Sequence, residues 1–182
     1  GMTIAEAAEL RGESPEEAIV NLIIEDGSRI QCIYFSMSEE NVRKKIMLPW
    51  VSFDSDAGSY SDISKDFITH PRAFGSFARV LGKYVRDEKL ITMEEAIRRL
   101  TGFPASNLGI KNRGNLKPGY FADVVVFDPE LIEDKATFEK PLQFAVGVED
   151  VFVNGVQVLS GSEHTGEYPG RFVKGAGYSP SN

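Results

Sequence analysis

At 182 residues, with 42% hydrophobic and 26% charged side chains, the sequence has a globular composition and enough length to bury a core. A formal charge of -7 argues against nucleic acid and anionic membranes as partners, because both need a basic face. No apolar run reaches the roughly 18 residues a transmembrane helix requires, and no signal-peptide pattern opens the chain.

Thr3 with Glu6 forms a capping box for a short helix ending near Arg11-Gly12. Ser14-Pro15-Glu16-Glu17 starts a second, with Pro15 at its first position, an apolar face of Ala18, Ile19, Leu22 and Ile23, and a stop at Asp26-Gly27. Ile30 to Phe35 is apolar and β-prone and predicts a buried strand, with Cys32 as a small core residue in its middle. A single cysteine excludes an internal disulfide and fits a reducing compartment, so a cytoplasmic location is expected. Ser36 to Glu40 opens a helix running to about Ile46, and Pro49 to Phe53 predicts a second strand, ending in Asp54-Ser55-Asp56. Helix, strand, helix, strand is the pattern of a parallel α/β sheet.

The polar stretch from Asp54 to Thr69 is long for a connector, and such loops are often functional. Phe77, Val80, Leu81, Tyr84 and Val85 mark an amphipathic helix over about Arg72 to Asp87. Thr92 caps another, with Met93, Ala96, Ile97 and Leu100 buried. After about residue 110 the texture changes to short β runs: Ala122 to Phe127, Val148 to Val153 and Val156 to Leu159. Asn154-Gly155 predicts a two-residue type I′ hairpin turn. The Gly/Ser/Pro-rich tail from Gly175 predicts mobility unless it is docked. Two parallel strands do not make a stable sheet, so the α/β part reads as the last units of something larger. Gly1-Met2 can be read as a cleavage scar ahead of an introduced start.

Several motifs occur in an order and spacing that resemble the D-aminoacylase family of amidohydrolases. They are Asp54-Ser55-Asp56, His70-Pro71-Arg72, Phe74-Gly75-Ser76-Phe77 and Arg79-Val80-Leu81-Gly82. Gly114 to Asp123, Val151 to Gly155, His164-Thr165-Gly166 and Pro169-Gly170-Arg171 are similar to the family's C-terminal part, and Ile33 to Ser38 resembles its seventh barrel strand and following turn. The resemblance implies an α/β fold class: the last βα units of a (β/α)8 metallo-hydrolase barrel over residues 1–110, then part of a small β-sandwich over residues 111–182. Ile30–Phe35 and Pro49–Phe53 would be the seventh and eighth barrel strands.

It also implies a metal-dependent deacylase that hydrolyses the amide C–N bond of N-acyl-D-amino acids with zinc. Asp56 matches the family's proton-shuttling aspartate, and it could also serve as a metal ligand. Read without the family, Asp56 is a turn residue in an acidic, serine-rich loop. Arg72 matches the arginine that holds the substrate carboxylate, and His70 beside it is a candidate substrate-binding residue. Arg72 sits poorly for a cation, at a helix start, which favours a functional role. Zinc needs three or four converging ligands, which Asp56, Cys32, His70 and His164 do not supply, so this segment alone is expected to be inactive and to retain little zinc. Ser55, Ser59 and Ser61 lack a nucleophile elbow. The alternatives are a dihydroorotase- or hydantoinase-like segment, or a non-catalytic remnant acting as a binding or assembly module. Exposed barrel faces lead us to expect self-association or a homodimer.

Overall fold

A computed structural model describes residues 1–28, 30–58, 69–175, 177 and 178. Ser59, Ser61 and most of the expected functional loop lie outside the described residues, as does much of the tail. The chain divides into two compact units, Gly1–Met37 and Ser38–Asn182.

The first unit is a pair of helices, α1 (Ile4–Arg11) and α2 (Pro15–Asp26). Both predicted capping boxes form: Thr3 and Ser14 accept from the N–H groups of Glu6 and Glu17, whose carboxylates reach back to the cap N–H. Gly12 and Gly27 end the helices in left-handed conformation. The guanidinium of Arg11 bridges Glu13 (3.2 Å) and Glu25 (2.5 Å), tying the connection to the end of α2. Ala8 and Ala18 are buried here, whereas Ile19 and Ile23 of the expected apolar face are exposed.

The two predicted parallel strands are corrected by the structure. Neither Ile30–Phe35 nor Pro49–Phe53 forms a β-strand, and Cys32 is exposed rather than a core residue. The reason is physical: a buried parallel strand is defined by neighbours on both edges and helices on both faces, and β-propensity alone provides neither. The second segment does keep a strand's alternation, with Val51, Phe53, Ser55 and Ala57 half-buried and Ser52, Asp54, Asp56 and Gly58 exposed.

In the second unit, α3 (Glu39–Ile46) is capped by Ser38, and α4 (Arg72–Arg79) runs on directly as a π-helix (Val80–Asp87), followed by α5 (Met93–Leu100) and α6 (Gly102–Asn107). The chain then forms an antiparallel sheet in the order β1 (Val124–Phe127), β2 (Val148–Val153), β3 (Val156–Ser160), β4 (Glu163–His164). Asn154 (φ 51°) and Gly155 (φ 83°) make the β2–β3 turn, both in the positive-φ region that a type I′ turn requires. The core joins Ala78, Val80, Leu81, Val85 and Ala96 to Ile132, with Phe53, Phe127 and Val148 packed against it, so the sheet region closes over α4, the π-helix and α5. No helix among the described residues is long and apolar enough to cross a membrane.

α3 is strapped to the π-helix by charge. Glu39 accepts from Lys83 and from the Tyr84 hydroxyl (2.9 Å), and Arg43 forks onto Glu88 at 2.7 and 2.9 Å.

Candidate functional site

Asp56 and Arg72, predicted from separate motifs, are brought together. The Arg72 Nη1 lies 2.9 Å from Asp56 Oδ2, with the side chains 45% and 83% exposed. Asp56 reaches this position with φ at 48°, a conformation that Asp tolerates better than most residues. Arg72 opens α4, where the positive end of the helix dipole disfavours a cation, and the Asp56 carboxylate compensates that misfit.

His70 holds the start of the same helix. Pro71 offers no side-chain cap, and the Nδ1 of His70 accepts the Arg72 N–H at 3.0 Å instead. An accepting Nδ1 belongs to the neutral ring with its proton on Nε2. Burial, and then the Arg72 charge, push the imidazole below its ordinary value, which keeps it in that acceptor form. The ring packs edge-on against Phe138, with centroids 5.2 Å apart. The arrangement makes His70 a helix-capping residue that sets the backbone from which Arg72 projects.

The described residues do not fit a zinc site. Among them no group of three or more His, Cys, Asp or Glu side chains gathers where a metal ion could sit. One oxygen of Asp56 is engaged by a cation, the His70 Nδ1 is taken by an amide, and that of His164 accepts from Gly166 N–H at 2.9 Å. Cys32 belongs to the other compact unit.

Two open clefts lie elsewhere. One of about 280 Å³ is lined by Ser106, Lys111, Asn115 and Tyr120, and one of about 310 Å³ by Arg79, Lys83, Arg86 and Asp134. The cations of the second are occupied: Arg79 pairs with Asp134 (3.0 Å), Lys83 with Glu39, and Arg86 with Asp87 and the Ile132 carbonyl.

Sequence reasoning missed two clamps, one interior and one at the surface. Arg99 on α5 is fully buried, donating to the carbonyls of Ile46 and Val51 at 2.5 Å and stacking on Phe53. Desolvation pulls its pKa down. A charged residue three positions after Ala96, inside an apolar stripe, was the available signal. Asp123, which ends the Gly114–Asp123 motif, accepts from Arg113 and from the Asn154 N–H (2.8 Å), while Arg113 also reaches Asn154 Oδ1 at 2.5 Å. That part of the motif therefore locks the hairpin turn.

Comparison with known proteins agrees with the resemblance seen in the motifs. The model of the amidohydrolase family matches residues 3–159. The D-aminoacylase of Alcaligenes xylosoxydans xylosoxydans is 38% identical over 173 residues, which is 95% of this chain and 34% of that protein. A crystal structure of N-acyl-D-glutamate deacylase from Bordetella bronchiseptica, in complex with zinc and a phosphonate mimic of the tetrahedral intermediate, superposes with a TM-score of 0.76 at 39% identity, covering 87% of this chain and 31% of that one. A shorter match, 35% identical over 77 residues, joins 42% of the chain to 17% of a dihydroorotase from Lactobacillus acidophilus. The chain thus spans about a third of the length of the deacylase relatives that it matches. With a family match across most of its length and a deacylase-like fold, the chain belongs to the amidohydrolase family.

Proposed function

We propose that this chain is a segment of an N-acyl-D-amino-acid deacylase, comprising the end of a (β/α)8 barrel (residues 1–110) and part of a β-sandwich (residues 111–182). The longer polypeptide hydrolyses the amide C–N bond of a small N-acyl amino acid in a reducing, cytoplasmic setting. Asp56 takes the proton from the attacking water and delivers it to the departing amine, and Arg72 binds the substrate's free carboxylate. The observation that carries this reading is the Asp56–Arg72 pair at 2.9 Å, in a chain 38% identical to a D-aminoacylase. Arg72 already holds a carboxylate there, and its half-exposed fork is open to that of a substrate. His70 supports substrate binding indirectly, by fixing the start of α4. Zinc belongs to the longer enzyme, held by ligands that the described residues here do not provide.

The test is zinc content and hydrolysis of N-acetyl-D-amino acids, on this chain and on a longer product that includes it. The chain alone is expected to be inactive and nearly metal-free. In the longer product, Asp56→Asn is expected to lower turnover at least about 100-fold, within the usual range for a lost general base. Arg72→Ala is expected mainly to raise KM. Turnover unchanged in Asp56→Asn would remove the shuttle assignment. The dihydroorotase match supports a second reading, a cyclic amidohydrolase, which predicts ring opening of dihydroorotate or a hydantoin and no hydrolysis of the N-acetyl substrates. A binding or assembly remnant predicts turnover of neither substrate by any product.

A further inference from the structure

Among the described residues the segment that carries Asp56 has no neighbouring strand to fix it, and its backbone carbonyls are held from α5. Arg99 is 0% exposed, and its Nε and Nη1 donate to the carbonyls of Val51 and Ile46, each at 2.5 Å. Its guanidinium lies 4.5 Å from the ring centre of Phe53, which packs against the core. The adjacent Arg98 donates to the Pro49 carbonyl at 3.1 Å. Three carbonyls between Ile46 and Val51 therefore end on two successive side chains of one helix. The Ile46 carbonyl is one that the end of α3 leaves without a helical partner, and those of Pro49 and Val51 would accept from the next strand in a parallel sheet. Here the arginine forks satisfy all three.

Packing alone does not explain a guanidinium at this point. The third donor group, Nη2, is buried without a hydrogen-bond partner among the described residues, and the two groups that Arg99 does donate to are neutral carbonyls. A methionine or leucine would fill the same stripe of α5 without that desolvation penalty. What the arginine adds is directional restraint on a short piece of backbone. Asp56 follows the anchored Phe53 by three residues, so it stays within about 10 Å of that anchor however the chain bends.

We propose that Arg99 is a positioning residue for Asp56: its hold on the Ile46 and Val51 carbonyls and its stack on Phe53 set where the Asp56 carboxylate stands relative to Arg72. The inference rests on the role given to Asp56 above, and its test reads the pair directly rather than turnover.

In the full chain, side-chain ¹⁵N–¹H NMR of Arg72 reports its ion pair, and Asp56→Asn marks the position of the unpaired signal. Arg99→Met is expected to move the Arg72 signal most of the way to that position, while the β2–β3 amide signals stay in place. Arg99→Lys keeps the charge but replaces the planar fork and its stack on Phe53 with a single ammonium, and is expected to move it part of the way. An Arg72 signal at its wild-type position in folded Arg99→Met overturns the proposal. Should that variant unfold, Arg99→Lys and the conservative Phe53→Leu decide: unmoved Arg72 signals in both overturn it, and a moved signal in either, with β2–β3 unchanged, supports it. Failure of the shuttle assignment is read separately, as turnover retained in Asp56→Asn.

Discussion

Ile132, only 2% exposed, is the residue against which two backbone segments close most tightly. A Cβ at Gly82 would collide with its carbonyl oxygen, and one at Gly147 would sit 2.5 Å from its amide nitrogen. Gly147 also has φ at +81°, so alanine there meets both backbone strain and overpacking. Gly147→Ala is expected to destabilise the second unit by about 3 kcal/mol, combining a left-handed alanine with a compressed contact. Urea denaturation checks this through a lowered midpoint at an unchanged slope. Such positions are not legible in a sequence, since a glycine in a loop looks the same whether or not backbone passes beside it. Asp56, His70 and Arg72 were legible only as parts of motifs. Asp56 by itself reads as a turn residue, and its φ of 48° agrees with that reading as well as with the pairing. Arg99 and Asp123 act on backbone 48 and 31 residues away, and no local pattern encodes such a separation.

At the scale of elements, what is local was readable. The capping signals of α1, α2 and α5 sit within four residues of the N–H groups they satisfy, and each forms as expected. The Asn154-Gly155 turn is local in the same sense. The two parallel strands failed because their definition lies in partners, and the π-helix and α6 had no signature that distinguished them from ordinary helix and loop. The strap between α3 and the π-helix yields a pH prediction. Lys83, with help from the Tyr84 hydroxyl, holds the Glu39 carboxyl below its ordinary value of 4.5. A carboxyl lowered in the fold contributes stability that is present above its unfolded pKa and lost as pH falls through the folded one. Glu39 is part-exposed, so solvent screening limits the contribution to about 0.5–1 kcal/mol at pH 7. Glu39→Gln should therefore lower stability by that amount at pH 7 and by less at an acid pH, as the wild-type carboxyl takes up its proton below its lowered pKa. Paired denaturation curves at the two pH values measure the difference, and an equal loss at both would mean that packing rather than charge holds α3.

For the whole molecule, the balance is between apolar exposure and charge. Tyr34 (82%), Phe172 (79%), Phe144 (73%) and Trp50 (69%) are largely open to solvent, as are Ile24 and Leu10 on the first helix pair. Single exposed apolar residues are ordinary, but several aromatic and aliphatic side chains this open favour association by the hydrophobic effect. The formal charge of -7 opposes it, because copies of the chain repel one another. Salt separates the two contributions, since the Debye length falls from about 10 Å at 0.1 M to about 3 Å at 1 M while apolar burial is not weakened. We therefore propose that the isolated chain self-associates, as dimers or larger species, with an average mass that rises with concentration and rises further with added sodium chloride. Multi-angle light scattering over a concentration series at both ionic strengths tests this. A monomer mass throughout would contradict it, and association that weakened with salt would point to ion pairs rather than exposed apolar surface as the contact.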